Sequence, residues 1–213
     1  MDYSLEKHLF LALFWVLWCA LHSLLIAPSV KRFFAGRLGM WFRYYRLLYI
    51  FIALGTIIPV LVYRFSMSSQ PLFAWQGELR IIQTLLIGSA LCLFIGGARN
   101  YDLRQFTGIR QIREGEDYRG IGDRGGLKTD GILGVIRHPW YLGGILIIWA
   151  RPLDTAALVT NIILTSYLII GAFLEERKLI ITFGSQYRRY QSRVSMLFFP
   201  WKWLKKKVRN WLK

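Results

Sequence analysis

Long apolar runs, broken by Gly, Pro or clustered charge, dominate the chain. Five of them are near the roughly 20 residues that a helix rising ~1.5 Å per residue needs to cross a hydrocarbon core. They run from Leu9 to Ala27, Tyr44 to Tyr63, Leu79 to Ala98, Ile132 to Ala150 and Thr155 to Leu174. Pro28 stops the first, Pro59 lies near the far end of the second, and only Arg151 to Asp154 separates the last two. That short link predicts a tight helical hairpin. The pattern therefore predicts an all-α integral membrane protein with five transmembrane helices in a single domain over 1–213. Three N-terminal spans fall in 1–98, a polar loop in 99–131, the hairpin in 132–174 and a polar tail in 175–213.

Composition strengthens this picture and charge orients it. The 213 residues are 54% hydrophobic yet carry 28 Lys+Arg against 12 Asp+Glu, a formal net charge of +16. Of those 28 cations, 24 fall in the first and third loops, at the mouths of the spans beside them, and in the tail; four fall in the remaining segments. Cytoplasmic loops collect Lys and Arg, so the N-terminus is expected outside and the C-terminus inside, in a bacterial inner membrane. The loop and tail then form a cytoplasmic cap. The first run is too long for a cleavable signal and lacks a small-residue cleavage site, so it is expected to stay as an anchor. Two cysteines, Cys19 and Cys92, both inside apolar runs, exclude a disulfide scaffold, and the hydrophobicity excludes a disordered chain.

The segment from Trp201 to Lys213 places Trp201, Leu204, Val208, Trp211 and Leu212 on one helical face and Lys202, Lys205, Lys206, Arg209 and Lys213 on the other. That is the pattern of an interfacial helix on anionic lipid. Nucleic acid is the rival partner for a basic, Trp-containing stretch, and it is set aside because the chain is already held at a bilayer. No metal site is expected, since His8, His22 and His138 are scattered and no Cys/His cluster exists.

Polar residues at membrane depth are costly and mark candidate chemistry. One cluster, Asp130 to Gly144, gathers Arg137, His138, Trp140 and Tyr141 around Pro139, with Gly143 and Gly144 allowing close approach. Read alone, it also fits an ordinary interface belt of snorkelling Arg and headgroup-level aromatics. The other, Leu174 to Tyr190, opens with Glu175 and Glu176. Glu175 shares a face with Leu179 and Phe183 and is expected to point to the apolar side, an expensive place for an unpaired carboxylate. Pairing with Arg177, Lys178 or the tail is the plainer reading. In a hairpin the two clusters become neighbours.

Together they form a pattern: Arg137, His138, Pro139, Tyr141 and Gly143, then about 30 apolar residues, then Glu175, Glu176, Leu179, Phe183, Gly184, Tyr187, Tyr190, Val194 and Pro200. Over about the last 85 residues this resembles the isoprenylcysteine carboxyl methyltransferase and phospholipid methyltransferase superfamily. The stretches around His22, Tyr45-Arg46 and Arg110-Gln111 are similar to a narrower branch, the NnrU-type membrane proteins and methanethiol S-methyltransferases. The resemblance implies an integral-membrane methyltransferase using S-adenosylmethionine at the cytoplasmic mouth of the hairpin. Carried over, His138, Pro139, Trp140, Tyr141 and Glu175 would line the cofactor, with Gly126, Leu127 and Lys128 in the preceding loop and Gln111 as an addition. His138, Arg137 and Glu176 are the candidates for catalysis and orientation. His22 reads either as a site residue or as a hydrogen-bonded helix-packing residue.

Two departures shape the expected substrate. The superfamily's G-x-Y before the RHP segment is Gly131, Ile132, Leu133 here, and Gly171 stands where isoprenylcysteine enzymes carry an Arg associated with a substrate carboxylate. A small thiol or lipophilic acceptor is therefore expected over a prenylated carboxylate. The competing readings are a non-enzymatic NnrU-type accessory protein and an NADPH-dependent membrane reductase. The orientation has its own test: a fluorescent protein fused to the C-terminus should fluoresce and alkaline phosphatase fused there should be inactive, while phosphatase inserted at Arg151 should be active. The converse pattern would invert the topology.

Overall fold

The computed structural model describes residues 3–67, 70–101, 103–114 and 126–197. The basic stretch 201–213, and Pro200, lie outside the described residues. In chain order the elements are α1 (Tyr3–Ile26), α2 (Pro28–Leu38), a 3-10 turn (Gly39–Tyr44), α3 (Tyr45–Ser66), β1 (Pro71–Phe73), α4 (Leu79–Asn100), α5 (Leu103–Thr107) and α6 (Ile109–Glu114). A second 3-10 turn (Gly131–Gly134), α7 (Pro139–Trp149), β2 (Leu153–Asp154) and α8 (Thr155–Gln191) follow. Helix dominates, as the runs require. Among the described residues, the all-α expectation gains an antiparallel ribbon in which β1 pairs with β2, and an isolated parallel bridge between Ile136 and Ser195.

Among the described residues, four helical segments are long and apolar enough to cross a membrane: Leu5–Ile26, Pro28–Ser66, Leu79–Asn100 and Thr155–Gln191. Leu9, Phe51, Val62, Leu85, Ile95 and Ile170 are each more than half exposed. Such apolar surface is a liability in water and is natural against lipid. The expected fourth span differs. Over Ile132–Ala150 the chain makes a 3-10 turn, an extended stretch through His138, and then only the 11 residues of α7. Pro139 supplies the reason: it sits at the first helical turn, where its missing N–H costs nothing, so the helix starts there and not earlier. Eleven residues rise about 16 Å, roughly half of a hydrocarbon core.

Contacts divide the chain into two compact units. The first contains α1–α3, α5, α6, the ribbon and the start of α8. Leu11, Trp15, Val60, Met67 and Ala156 form its core, and the indole of Trp15 donates to Thr160 Oγ1 at 2.9 Å. Asp154 begins α8: its Oδ1 accepts the Ala157 N–H at 2.6 Å and pairs with Arg64 at 2.8 Å. His22 is a packing residue, with Nδ1 2.7 Å from the Tyr167 hydroxyl and Nε2 against the hydroxyl of Tyr49.

The second unit contains α4, the loop from Gly126, α7 and the remainder of α8. Here α7 lies against α4 because Gly97 has no side chain. A Cβ at Gly97 would sit 2.3 Å from Trp140 Nε1, the indole that donates to the Phe94 carbonyl at 3.0 Å. Gly143 likewise lies against Phe94 of α4 and Gly144 against Leu168 of α8, so both glycines serve the close approach expected of them. Gly97→Val should therefore force the indole off α4 and cost about 1–3 kcal/mol through overpacking. A thermal midpoint in detergent equal to that of the wild type would contradict this packing.

Candidate active site

The site is assembled by a reversal in α8. Glu176 and Tyr187 are 11 residues apart, a distance of about 16 Å in a straight helix, yet the Tyr187 hydroxyl donates to Glu176 Oε1 at 3.3 Å. The chain turns back at Gly184, whose φ of 53° and ψ of −126° are outside the helical region and rare for any residue with a Cβ. This folds the tail's first residues, Tyr187, Tyr190 and Gln191, over the end of the helix that carries the glutamates.

The extended stretch before α7 is locked onto the returning chain. Ile136 bridges Ser195 in parallel, and the Arg137 and His138 amides donate to the Ser195 and Met196 carbonyls at 3.0 and 3.1 Å. The Tyr190 hydroxyl donates to the Leu133 carbonyl at 2.5 Å. Backbone hydrogen bonding thus fixes the RHP segment in register before any side chain is considered.

Glu176 is the centre of the cluster. Its Oε1 accepts from Arg137 Nε at 2.6 Å, from His138 Nε2 at 3.3 Å and from Tyr187; Oε2 accepts from Gln191 Nε2 at 2.6 Å. The Arg137 guanidinium spends its Nη1 on the carbonyls of Gln191 and Val194. Both side chains are more than nine-tenths buried. The more deeply buried glutamate is thus Glu176, and Glu175, expected on the apolar side, keeps 34% of its side chain exposed. The reason is the location of the cation that reaches into the cluster among the described residues: Arg137 meets Glu176, which offsets the cost of burying it. Glu175 has one polar contact among the described residues, His138 Nδ1 at 3.6 Å.

His138 precedes α7 and is 2% exposed. Burial pushes its pKa below the ordinary value, while the Glu175 and Glu176 carboxylates pull the other way without reversing the sign. The imidazole is therefore neutral at pH 7. Because Glu176 Oε1 only accepts, Nε2 carries the proton and Nδ1, facing Glu175, keeps a lone pair.

The other candidates take varied places. Pro139 is buried at the start of α7, and Trp140 is bound to α4 as described. Tyr141 lies edge-on to His138 with centroids 5.3 Å apart, and its ring fills the space left by Gly171, 3.1 Å from where a Cβ would stand. Leu127 packs on Tyr187, Tyr190 and Val194; Gly126 is exposed. Lys128 Nζ donates to the Asn100 carbonyl at 3.0 Å, where a cation complements the C-terminus of α4. Gln111 belongs to the first unit, where its amide donates to the Gln105 carbonyl at 3.1 Å. Reading motifs missed Tyr101, which follows α4 and rests on Trp140 with centroids 4.8 Å apart. Burial and, next, the Glu175 carboxylate push its hydroxyl pKa up. An aromatic directly after the Arg99-Asn100 stop of an apolar run was the available signal.

Removing one partner of a buried pair strands the other, at a cost of about 3–5 kcal/mol. Glu176→Gln is accordingly expected to lower the thermal midpoint markedly, and Arg137→Leu combined with Glu176→Leu to recover part of the loss. A midpoint unchanged in Glu176→Gln would show that the pair does not hold the cluster.

The NnrU protein family profile matches residues 10–199. Methanethiol S-methyltransferase 2 of Bradyrhizobium diazoefficiens is 31% identical over 181 residues, which is 83% of this chain and 67% of that protein. Methanethiol S-methyltransferase 1 of the same organism is 47% identical over 76 residues, 35% of this chain and 26% of the relative. The Mycobacterium tuberculosis methanethiol S-methyltransferase is 37% identical over 101 residues, covering 46% and 39%. In these last two the matched stretch spans well under half of the relative's length. No solved structure matches the chain significantly. With a family match that runs across nearly all of its helices, the chain belongs to the NnrU family of membrane proteins.

Proposed function

We propose that the chain is an integral-membrane methyltransferase that uses S-adenosylmethionine and methylates a small thiol or lipophilic acceptor, with its site on the cytoplasmic side of a bacterial inner membrane. The observation that carries this reading is the division between the two glutamates. Glu176 is saturated by Arg137, His138, Tyr187 and Gln191, whereas Glu175 is half-buried, beside a neutral imidazole, with no cation of its own among the described residues. A carboxylate kept open in aromatic surroundings suits a ligand that carries positive charge. S-adenosylmethionine carries a sulfonium and an ammonium, so the residues fit it. The methanethiol S-methyltransferases to which the chain is similar support the same reaction class.

When bound, the cofactor supplies an electrophilic methyl group on a sulfonium centre. Glu175 holds the cationic part of the ligand, and Tyr141, whose ring is backed by Gly171, walls the site beside His138. Lys128 and the loop through Gly126 and Leu127 close the side next to the end of α4. His138 Nδ1 is free to take the proton of a thiol, while Nε2 stays on Glu176; the imidazolium so formed would face two carboxylates. Arg137 acts through position: its charge is matched by Glu176, and it ties the RHP segment to the returning end of α8. In-line displacement needs mainly this positioning and the exclusion of water.

Calorimetry on the detergent-purified chain tests the reading. S-adenosylmethionine should bind in the micromolar range, Glu175→Gln should weaken it by about tenfold or more, equivalent to ~1.4 kcal/mol, and NADPH should not bind. Absence of S-adenosylmethionine binding would sink the proposal; NADPH binding in its place would indicate a reductase.

A further inference from the structure

We propose that the Tyr141 ring, seated on Gly171, sets the length of acceptor that the site takes, an inference that rests on the reading above. Three contacts within the second unit step down between the stretch that opens α7 and the middle of α8. At the first, His138 Nδ1 lies 3.6 Å from Glu175 Oε2. At the second, Tyr141 Cε1 lies 3.1 Å from where a Cβ of Gly171 would stand. At the third, a Cβ on Gly144 would lie 3.2 Å from Leu168 Cδ1. Residue numbers rise on one side as they fall on the other, so the two helices run antiparallel and each contact is about one turn beyond the last.

The middle contact bears on size. Gly171 precedes Glu175 by four residues, about one turn or ~6 Å along α8 and on the same face. A helical side chain leans toward the N-terminus of its helix, so Glu175 reaches back over the turn that holds Gly171. The Tyr141 ring rests on that turn, and its edge-on contact with His138, centroids 5.3 Å apart, puts the same ring beside the imidazole. In the proposed reaction the thiol sulfur bonds the methyl carbon, the carbon–sulfonium bond breaks and the thiol proton goes to His138 Nδ1. A sulfur placed there has the ring within one turn of it, and a chain of more than a few carbons meets the ring. No relief lies beyond, because Leu168 already fills the next turn against Gly144. Glycine at 171 lets the ring lie back on α8; a side chain there would press it toward His138, and loss of the ring would open the turn.

The test measures kcat/KM for methanethiol and for 1-butanethiol on the same preparation, with S-adenosylhomocysteine as the product counted. Tyr141→Ala is expected to raise the butanethiol-to-methanethiol ratio by about tenfold or more, the scale on which a few methylenes are discriminated in an apolar pocket. Gly171→Val should move the ratio the other way, by about threefold or more, with Gly171→Ala shifting it in the same direction should the Val variant not fold. A ratio taken within one preparation is insensitive to partial misfolding, and opposite shifts from the two sides of one contact are not expected of a purely structural role. Equal losses for both thiols in Tyr141→Ala, as a ring that only held the cofactor would give, or a ratio unmoved by either substitution, would overturn the assignment. A wild-type chain that binds S-adenosylmethionine but methylates neither thiol would overturn the thiol reading and this assignment with it; one that does not bind it would overturn the methyltransferase reading itself.

Discussion

A carboxylate in an apolar surround is tolerable only with a counter-charge and a full set of donors, and the second unit is organised around satisfying that condition for Glu176. Its four donors come from two separate segments, Arg137 and His138 from before α7 and Tyr187 and Gln191 from beyond the reversal, and meet the carboxylate on the straight part of α8. Because the two donor stretches converge on one carboxylate, displacing either leaves the other facing an incompletely paired charge, which couples them.

That commitment is what leaves Glu175 available. Adjacent residues on a helix point about 100° apart, so one glutamate can be consumed in structure while its neighbour stays partly exposed. The buried one sets the tautomer of His138 and the other shares that imidazole's free nitrogen. On the proposed reading, ligand binding and stability are separated by one residue of helix, and a substitution at either position should move one property far more than the other.

The helices α1, α3, α4 and α8 were legible from hydropathy, because crossing a bilayer demands length and apolarity and little else. The pairing of the two polar clusters was also legible, since a four-residue link allows the flanking segments few other arrangements. What escaped was backbone detail that hydropathy does not register. The apolar run from Ile132 looked like a full span, but proline at 139 sets the helix start by stereochemistry. The reversal at Gly184 was invisible for the same reason, and with it the burial of Glu176 in place of Glu175. Tyr101 was overlooked because the signal there was a single aromatic in a polar loop. Its packing partner is Trp140, 39 residues later, seated in the notch at Gly97.

The reversal at Gly184 also bears on how the chain acquires its structure. Arg137 is synthesised nearly forty residues before Glu176 and more than fifty before the Gln191 and Val194 carbonyls that complete its hydrogen bonding. Until the ribosome has passed Met196, the stretch before α7 lacks the strand partner that fixes it. A guanidinium without those partners is poorly suited to the apolar interior, so the hydrogen bonds that seat the RHP segment can form only once residues 187–196 have been made and have folded back. Completion of the Arg137–Glu176 cluster therefore depends on a stretch made after α4, α7 and the straight part of α8.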